Sequence, residues 1–410
     1  MPDQRIEAVL SSELESLQSA GGRKGREVVF TGVIAATEDR GPRFLLEGEG
    51  DKPFIRINSN SYLGMSLRPE VVEAEESAVR RFGVGPGAVR FISGTWAPHI
   101  DLERELAAFH GRDAAMIFSS AYATVMGILP SLITPETAVI SDELNHNCII
   151  NAIRLARPKE KYVYRHLVMD DLAANLATAA QSCRRAIIVT DGVFSMRGDH
   201  APLAEIMSLA REHDPAFAEN VLVVVDDSHG VGAFGATGRG TEEHTASEGA
   251  DLLVATLGKA IGVNGGYVVA NGTIIDYLRE KSPFYVYSNP ITAGEAAAAS
   301  VALEILTGPR GAALLDRLRQ MTARFEKGLV ELGLETIPGP HPIVPLMVRD
   351  TARTTALVAH LRRHGVLATG IGYPVVPEGD EEIRFQISAD HMGTDIDEVL
   401  SVLADFTNGR

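Results

Sequence analysis

The stretch VLVVVDDSHG, residues 221–230, sets five consecutive apolar residues directly before two acids, a serine and a histidine. DLLVATLGKAIG, residues 251–262, repeats the arrangement with Lys259 after the run. Runs of similar length recur as AAMIF (114–118), AVIS (138–141), RAIIVTD (185–191) and GGYVVA (265–270). Helix-length segments such as DLAANLATAA (171–180) and PLAEIMSLAREHD (202–214) lie between them. Strands without polar alternation are covered on both faces, so the pattern predicts an α/β fold with a large, doubly wound, mainly parallel sheet.

Outward from this sheet, an Ala-rich helical region from about Ala293 to Leu332 leads to HPIVPLMV (341–348), a helix near TTALVAHLRRHG (354–365) and EEIRFQIS (381–388), which together predict a smaller C-terminal α+β domain. Toward the N-terminus, residues 6–19 have the spacing of an amphipathic helix ending at Gly21 and Gly22, and a short β-rich arm runs to about Ile57. The expected division is therefore an arm (1–57), a large domain (58–292) and a small domain (293–410). A net charge of -16 and a pI near 5.2 argue against a nucleic-acid or anionic-membrane partner, since both require positive potential. No run of eighteen apolar residues and no signal-peptide core is present, so no membrane span is expected. Two cysteines, Cys148 and Cys183, make a disulfide framework improbable in a chain of 410 residues, and a cytoplasmic location is expected.

Ligands of open α/β sheets bind beyond the carboxyl ends of the strands. Those positions hold Asp226-Asp227-Ser228-His229, Thr256-Leu257-Gly258-Lys259, Thr190-Asp191-Gly192-Val193-Phe194-Ser195, and Ser119-Ser120-Ala121-Tyr122 at a helix start. A pyridoxal cofactor needs a lysine for a Schiff base, a carboxylate on its ring nitrogen, a surface against the ring and an anion cradle. Taken singly, a lysine or an Asp-Asp pair after a strand is an ordinary solvated or capping feature. The combination in one sheet, with glycines at 258, 262, 265 and 266 for close approach, points to pyridoxal 5'-phosphate, with Asp226 as the carboxylate and no metal site.

Long motifs then carry a family resemblance. NSNSYLG (58–64), GAVRFISGTWAPHIDLE (87–103), LNHNCII (144–150), TDGVFSMRGDHAPL (190–203), VDDSHGVGAFGATGRG (225–240), TLGKAIG (256–262), YSNP (287–290) and YPVVPEGDEEIRFQIS (373–388) resemble the α-oxoamine synthases. These are fold-type I pyridoxal-phosphate enzymes that condense an amino acid with an acyl thioester. The resemblance implies that Lys259 forms the Schiff base and moves protons at the substrate α-carbon. It implies that His146 stacks on the ring, that Asp226 pairs with its nitrogen and that His229 bonds its phenolic oxygen, with Ser195 near the same edge. The amides of Ala121 and Tyr122 and the hydroxyl of Thr256 would hold the phosphate. Ser288 and Asn289 would reach it from the neighbouring subunit, which implies a homodimer with a shared active site. Asn60 and Arg384 match the groups that bind the amino-acid carboxylate; Arg384 otherwise reads as a strand arginine paired with Glu381 or Glu382.

The implied activity is transfer of an acyl group from acyl-CoA to a small amino acid, glycine first, with release of coenzyme A. The alternatives are a decarboxylating transfer to serine or alanine from a long acyl-CoA or acyl-carrier thioester, and an aminotransferase or retro-aldol enzyme on the same scaffold. Departures from the family pattern concern the acyl donor. Val125 stands where many relatives have asparagine next to the cofactor face, and Ser61 replaces an acidic or amide residue. Trp96 is either a bulky stop in the acyl site or a core aromatic. Arg23, Lys24 and Arg26 either meet the phosphates of the acyl donor or form a solvated linker.

Overall fold

The computed structural model describes residues 2–19, 23, 25–373, 376–407 and 409. Contacts divide the chain into two units, Asn60–Leu318 and the pair of segments Met1–Ser59 and Arg319–Arg410. In the larger unit, every apolar run of strand length forms a strand: β1 (Ala114–Phe118), β2 (Thr137–Asp142), β3 (Glu160–Tyr164), β4 (Arg185–Asp191), β5 (Asn220–Asp226), β6 (Leu252–Thr256) and β7 (Gly266–Ala270). They lie in the order β1-β7-β6-β5-β4-β2-β3. All neighbours are parallel except β7, which runs antiparallel to both β1 and β6.

Successive strand residues point to opposite faces, and here both faces are buried. Val139, Ile187, Val189, Leu222 and Val224 belong to one apolar cluster, and their alternates Ile140, Ile188, Val221, Val223 and Val225 belong to another. Helices α1 (Pro69–Phe82), α2 (Ala97–His110), α3 (Ala121–Leu132), α4 (Asn147–Ala156), α5 (Met169–Ala179) and α6 (Leu203–His213) belong to this unit. The helix Ala293–Thr307, assigned by the sequence pattern to the closing domain, packs on α1 and α2, so the larger unit continues beyond residue 292. Gly294 permits that contact, because a Cβ there would come within 2.8 Å of Val79 Cγ2.

The smaller unit has strands Phe30–Ile34, Arg43–Leu46 and Ile55–Arg56 in the expected arm. Its three-stranded antiparallel sheet puts Glu382–Gln386 between Ile343–Met347 and Thr369–Ile371. Arg384 lies on that middle strand, opposite Pro345 and Thr369. The N-terminal helix is Pro2–Ser19, longer than the periodicity suggested; its expected end at Gly21 and Gly22, and Lys24 of the basic run, lie outside the described residues. Among the described residues no helix is long and apolar enough to cross a membrane.

One buried carboxylate organises the strand-end loops. Asp227 is fully buried and accepts hydrogen bonds from Thr241 N at 2.7 Å and Thr241 Oγ1 at 2.6 Å. The chain passes it three times at glycine, and a Cβ on Gly192, Gly230 or Gly240 would overlap its carboxyl oxygens. Asp227→Ala strands two buried donors and opens a cavity. It should lower unfolding free energy by about 2–4 kcal/mol, read by urea denaturation, and a loss under about 1 kcal/mol would contradict this role.

Candidate active site

A pocket of about 240 Å³ opens at the carboxyl ends of β4, β5 and β6. Ala121, Tyr122, His146, Ser195, Asp226, His229, Thr256 and Lys259 all line it. At one end is the start of α3. Ser120 caps this helix by accepting the Ala123 amide at 3.1 Å. The amides of Ala121 and Tyr122 belong to the first turn, which has no intrahelical acceptors, so they are donors of the kind that can hold an anion. Strand β7 passes so close that a Cβ on Gly266 would overlap the Ala121 nitrogen.

Thr256 ends β6; its Oγ1 donates to the Gly265 carbonyl at 3.1 Å and accepts the Gly258 amide at 3.0 Å. These bonds fix the turn that carries Lys259, which closes with Gly262 N donating to Lys259 O at 3.0 Å. Opposite, Asp226 ends β5. Its Oδ1 accepts the Ser228 amide at 3.1 Å and its Oδ2 lies 3.7 Å from the Cys148 thiol.

His146 caps α4, with Nδ1 accepting the Cys148 amide at 3.2 Å and Cys148 Sγ 3.0 Å away. Burial holds its imidazole below the usual range; Asp226 opposes the shift and the Lys259 charge adds to it. A neutral ring with one nitrogen occupied offers its face to a planar ligand. His229 Nδ1 lies 2.8 Å from the hydroxyl of Tyr62, which is fully buried.

The sequence reading did not single out Asp191, Cys148 or Tyr62 as site residues. Asp191 pairs in register with Asp226 on the adjacent strand, and its Oδ2 accepts the His146 amide at 3.1 Å. Burial and the Asp226 charge raise its carboxyl well above the ordinary range, which Lys259 and the His146 amide only partly oppose. Two acids ending neighbouring strands were the available signal. Cys148 is fully buried, and burial together with the nearby acids drives its thiol upward, so it is a neutral donor rather than a nucleophile. Tyr62 sits in the NSNSYLG motif, but only the fold shows that it meets His229.

Asn60, Ser288 and Asn289 do not line the pocket, and Arg384 belongs to the smaller unit. Val125 is buried in the apolar cluster beneath the sheet, not at the cofactor face, because it points to the inner side of α3. Trp96 is 37% exposed and leans on Phe82 at 5.6 Å, so it is not a core aromatic.

The donor set of amine, carboxylate, imidazole face and helix-start amides fits pyridoxal phosphate. The fit extends to Ser228 Oγ and Asp191 Oδ1, buried polar atoms of pocket-lining residues without a protein partner. Residues 52–403 match the model of the aminotransferase class I and II family. The chain is 38% identical over 395 residues to the mitochondrial 2-amino-3-ketobutyrate coenzyme A ligase of Bos taurus, covering 96% of this chain and 90% of that one. It is 40% identical over 365 residues to 8-amino-7-oxononanoate synthase 1 of Bacillus velezensis, with 89% and 90% covered. Among solved structures, Sphingomonas wittichii serine palmitoyltransferase superposes with a TM-score of 0.87 at 27% identity, covering 98% of this chain and 97% of that one.

Gly266→Ala pushes the start of α3 away from β7 and disperses the anion site. Equilibrium dialysis should show pyridoxal phosphate bound about tenfold more weakly or worse, with far-UV circular dichroism retained; unchanged affinity would rule out this cradle.

Proposed function

We propose that this chain, which belongs to the class I and II aminotransferase family and within it to the pyridoxal-phosphate-dependent α-oxoamine synthases, joins the α-carbon of a small amino acid, glycine first, to the acyl group of an acyl-CoA and releases coenzyme A. The observation that carries this reading is the convergence of Lys259, Asp226, His146, His229 and the α3 amides on one pocket. Coenzyme A appears in the name of the ligase that shares 38% of its residues. Bound pyridoxal phosphate supplies the electron sink that lets an attached amino acid lose an α-proton.

The residues of this chain divide the remaining work. Lys259 holds the cofactor and then takes and returns the α-proton with its amine. Asp226, fixed by the Ser228 amide and the Cys148 thiol, would accept a hydrogen bond from the protonated ring nitrogen and keep it protonated. His146 would offer the ring a neutral face, and His229, steered by Tyr62, would bond the phenolic oxygen. By the family resemblance, Asn60 and Arg384 are the residues that would take the amino-acid carboxylate, and a guanidinium bound through two parallel bonds would decide which α-bond stands perpendicular to the ring. The likeness to a serine palmitoyltransferase favours a second reading, decarboxylating transfer to serine or alanine from a longer thioester.

The enzyme works as a homodimer, with Ser288 and Asn289 completing the partner's phosphate site. Exposed apolar side chains on two segments that meet through the Phe91–Tyr285 ring contact support this: Tyr287 is 83% exposed, Ile92 79% and Phe91 55%. Exposed apolar groups so close together mark an interface. The buried free thiols of Cys148 and Cys183 fit a reducing compartment, and we place the enzyme in the cytoplasm.

Thiol release from acetyl-CoA and longer acyl-CoAs, assayed with glycine, alanine and serine, should require both substrates, and amino transfer without an acyl donor would sink the proposal. Lys259→Ala should abolish the visible band of the lysine-bound cofactor and cut kcat by about 10³-fold or more. Ile92→Glu should shift sedimentation toward the monomer and weaken cofactor retention at the same protein concentration, whereas an unchanged dimer would exclude this face.

A further inference from the structure

Three loops meet at the imidazole of His166, and two of them carry residues of the pocket. Nδ1 donates to Asp142 Oδ1 at 2.9 Å and Nε2 donates to Asp199 Oδ2 at 3.1 Å. An ionised carboxylate only accepts, so both ring nitrogens carry hydrogen and the ring is a cation. Its edge packs on Phe194, with centroids 4.4 Å apart and planes at 86°.

The neighbouring backbone is strained to make this contact. Leu167 has φ 57, a left-handed conformation that residues with a Cβ rarely adopt. That twist brings the Leu167 amide to Asp142 Oδ2 at 3.2 Å, while the Leu144 amide reaches Oδ1 at 2.9 Å. Local strain of this kind persists where surrounding bonds over-determine it.

Asp142 ends β2, and His146 follows four residues later. Asp199 closes the loop that carries Ser195: the Phe194 amide donates to the Asp199 carbonyl and the Gly198 amide to the Phe194 carbonyl, each at 2.9 Å. Pulling on either carboxylate therefore moves a pocket residue.

We propose that His166 is a positioning residue, a cationic clasp that holds the loop of His146 and the loop of Ser195 at a fixed separation across the pocket. The inference rests on the reading of that pocket as the cofactor site. Other charges surround the clasp. Glu143 Oε1 accepts the His166 amide at 2.7 Å, Arg197 Nε shares Asp199 Oδ2 at 3.1 Å, and Arg165 is held by Asp171 at 2.6 Å. Burial works against the imidazolium, but the hydrogen bonds and charges of Asp142 and Asp199 outweigh it and push the ring up to about 9. A raised histidine keeps its tie at lower pH and loses it as pH rises through that value. The neutral ring has one N–H and can hold only one of the two carboxylates.

The test uses the full-length protein loaded with pyridoxal phosphate. Cofactor retention after gel filtration, read by visible absorbance, and amino-acid-dependent thiol release are followed from about pH 6 to about pH 10. The wild type is expected to lose both along a limb centred near pH 9. His166→Gln, which cannot titrate, should lack that limb and retain cofactor about tenfold less tightly at neutrality. Asp199→Asn removes one carboxylate while leaving every pocket-lining side chain in place, and should move the limb to lower pH. An unmoved limb in Asp199→Asn, or a wild-type profile in His166→Gln, overturns the clasp. Failure of the wild type to bind cofactor at neutrality would remove the reading of the pocket instead, so the two failures are distinguishable.

Discussion

Asp226 stands at the rim of the pocket because β5 is pinned in register between β4 and β6. β4 and β5 pair from Arg185 opposite Asn220 to Asp191 opposite Asp226. Both faces of these strands are apolar, so burial alone would tolerate a slip along the ladder. The polar ends do not. Val221 N donates to Asp214 Oδ1 and Val223 N to Asp251 Oδ2, each at 2.8 Å, and Asp227 N donates to the Val254 carbonyl at 2.8 Å. A slip would break these bonds and carry an acid under the sheet, where an unpaired charge costs several kcal/mol. The same register sets two carboxyl groups side by side, and Lys259 and the His146 amide oppose the rise that burial and the Asp226 charge impose on Asp191.

Much of this was legible in the primary structure, and the exceptions have physical causes. Uninterrupted apolar runs marked the strands because a strand covered on both sides needs no polar alternation. The antiparallel direction of β7 is a further consequence of the chain. The link from Thr256 to Gly266 is too short for the crossover that a parallel neighbour demands, so the strand must turn back. Residues following strands pointed to the pocket because the chain leaves the sheet there. Tyr62 and His166 were invisible because their partners, His229 for one and Asp142 and Asp199 for the other, are set by the fold and not by spacing. Val125 was misplaced for a related reason. Its position in the motif suggested the cofactor face, but helix phase turns it into the core.

Away from the pocket, the larger unit buries an ion cluster whose location is informative. Arg90 NH1 meets Glu103 Oε1 at 2.7 Å, Arg279 NH2 meets Glu103 Oε2 at 2.8 Å, and Arg279 NH1 donates to the Tyr285 hydroxyl. The Ile117 amide also binds Glu103, at 3.1 Å, tying the cluster to edge strand β1. Buried pairs seldom add net stability over well-packed apolar groups, because desolvation offsets the attraction. Their effect is on geometry. Arg90 opens the segment with exposed Phe91 and Ile92, and Tyr285 lies two residues before exposed Tyr287. Two surface segments rich in apolar groups are thereby held to one rigid centre, with Phe91 and Tyr285 in edge contact at 6.1 Å.

Four aspartates at the ends of three strands show how far environment, not residue type, decides the chemistry. Asp142 accepts two amides and an imidazolium, so its negative charge is useful as a tether. Asp227 is equally buried but has only Thr241 as donor, and burial pushes it up to about 7; it acts as a spacer around which three glycines turn. Asp191 receives a single amide beside a second acid and is held toward its protonated form. Asp226 receives one amide and a thiol that burial keeps neutral. In the chain these residues read alike, as acids after apolar runs. What separates them is the kind of group around each, fixed by where neighbouring loops close: two amides and an imidazolium for Asp142, one threonine for Asp227, a second acid beside Asp191, and an amide with a neutral thiol for Asp226.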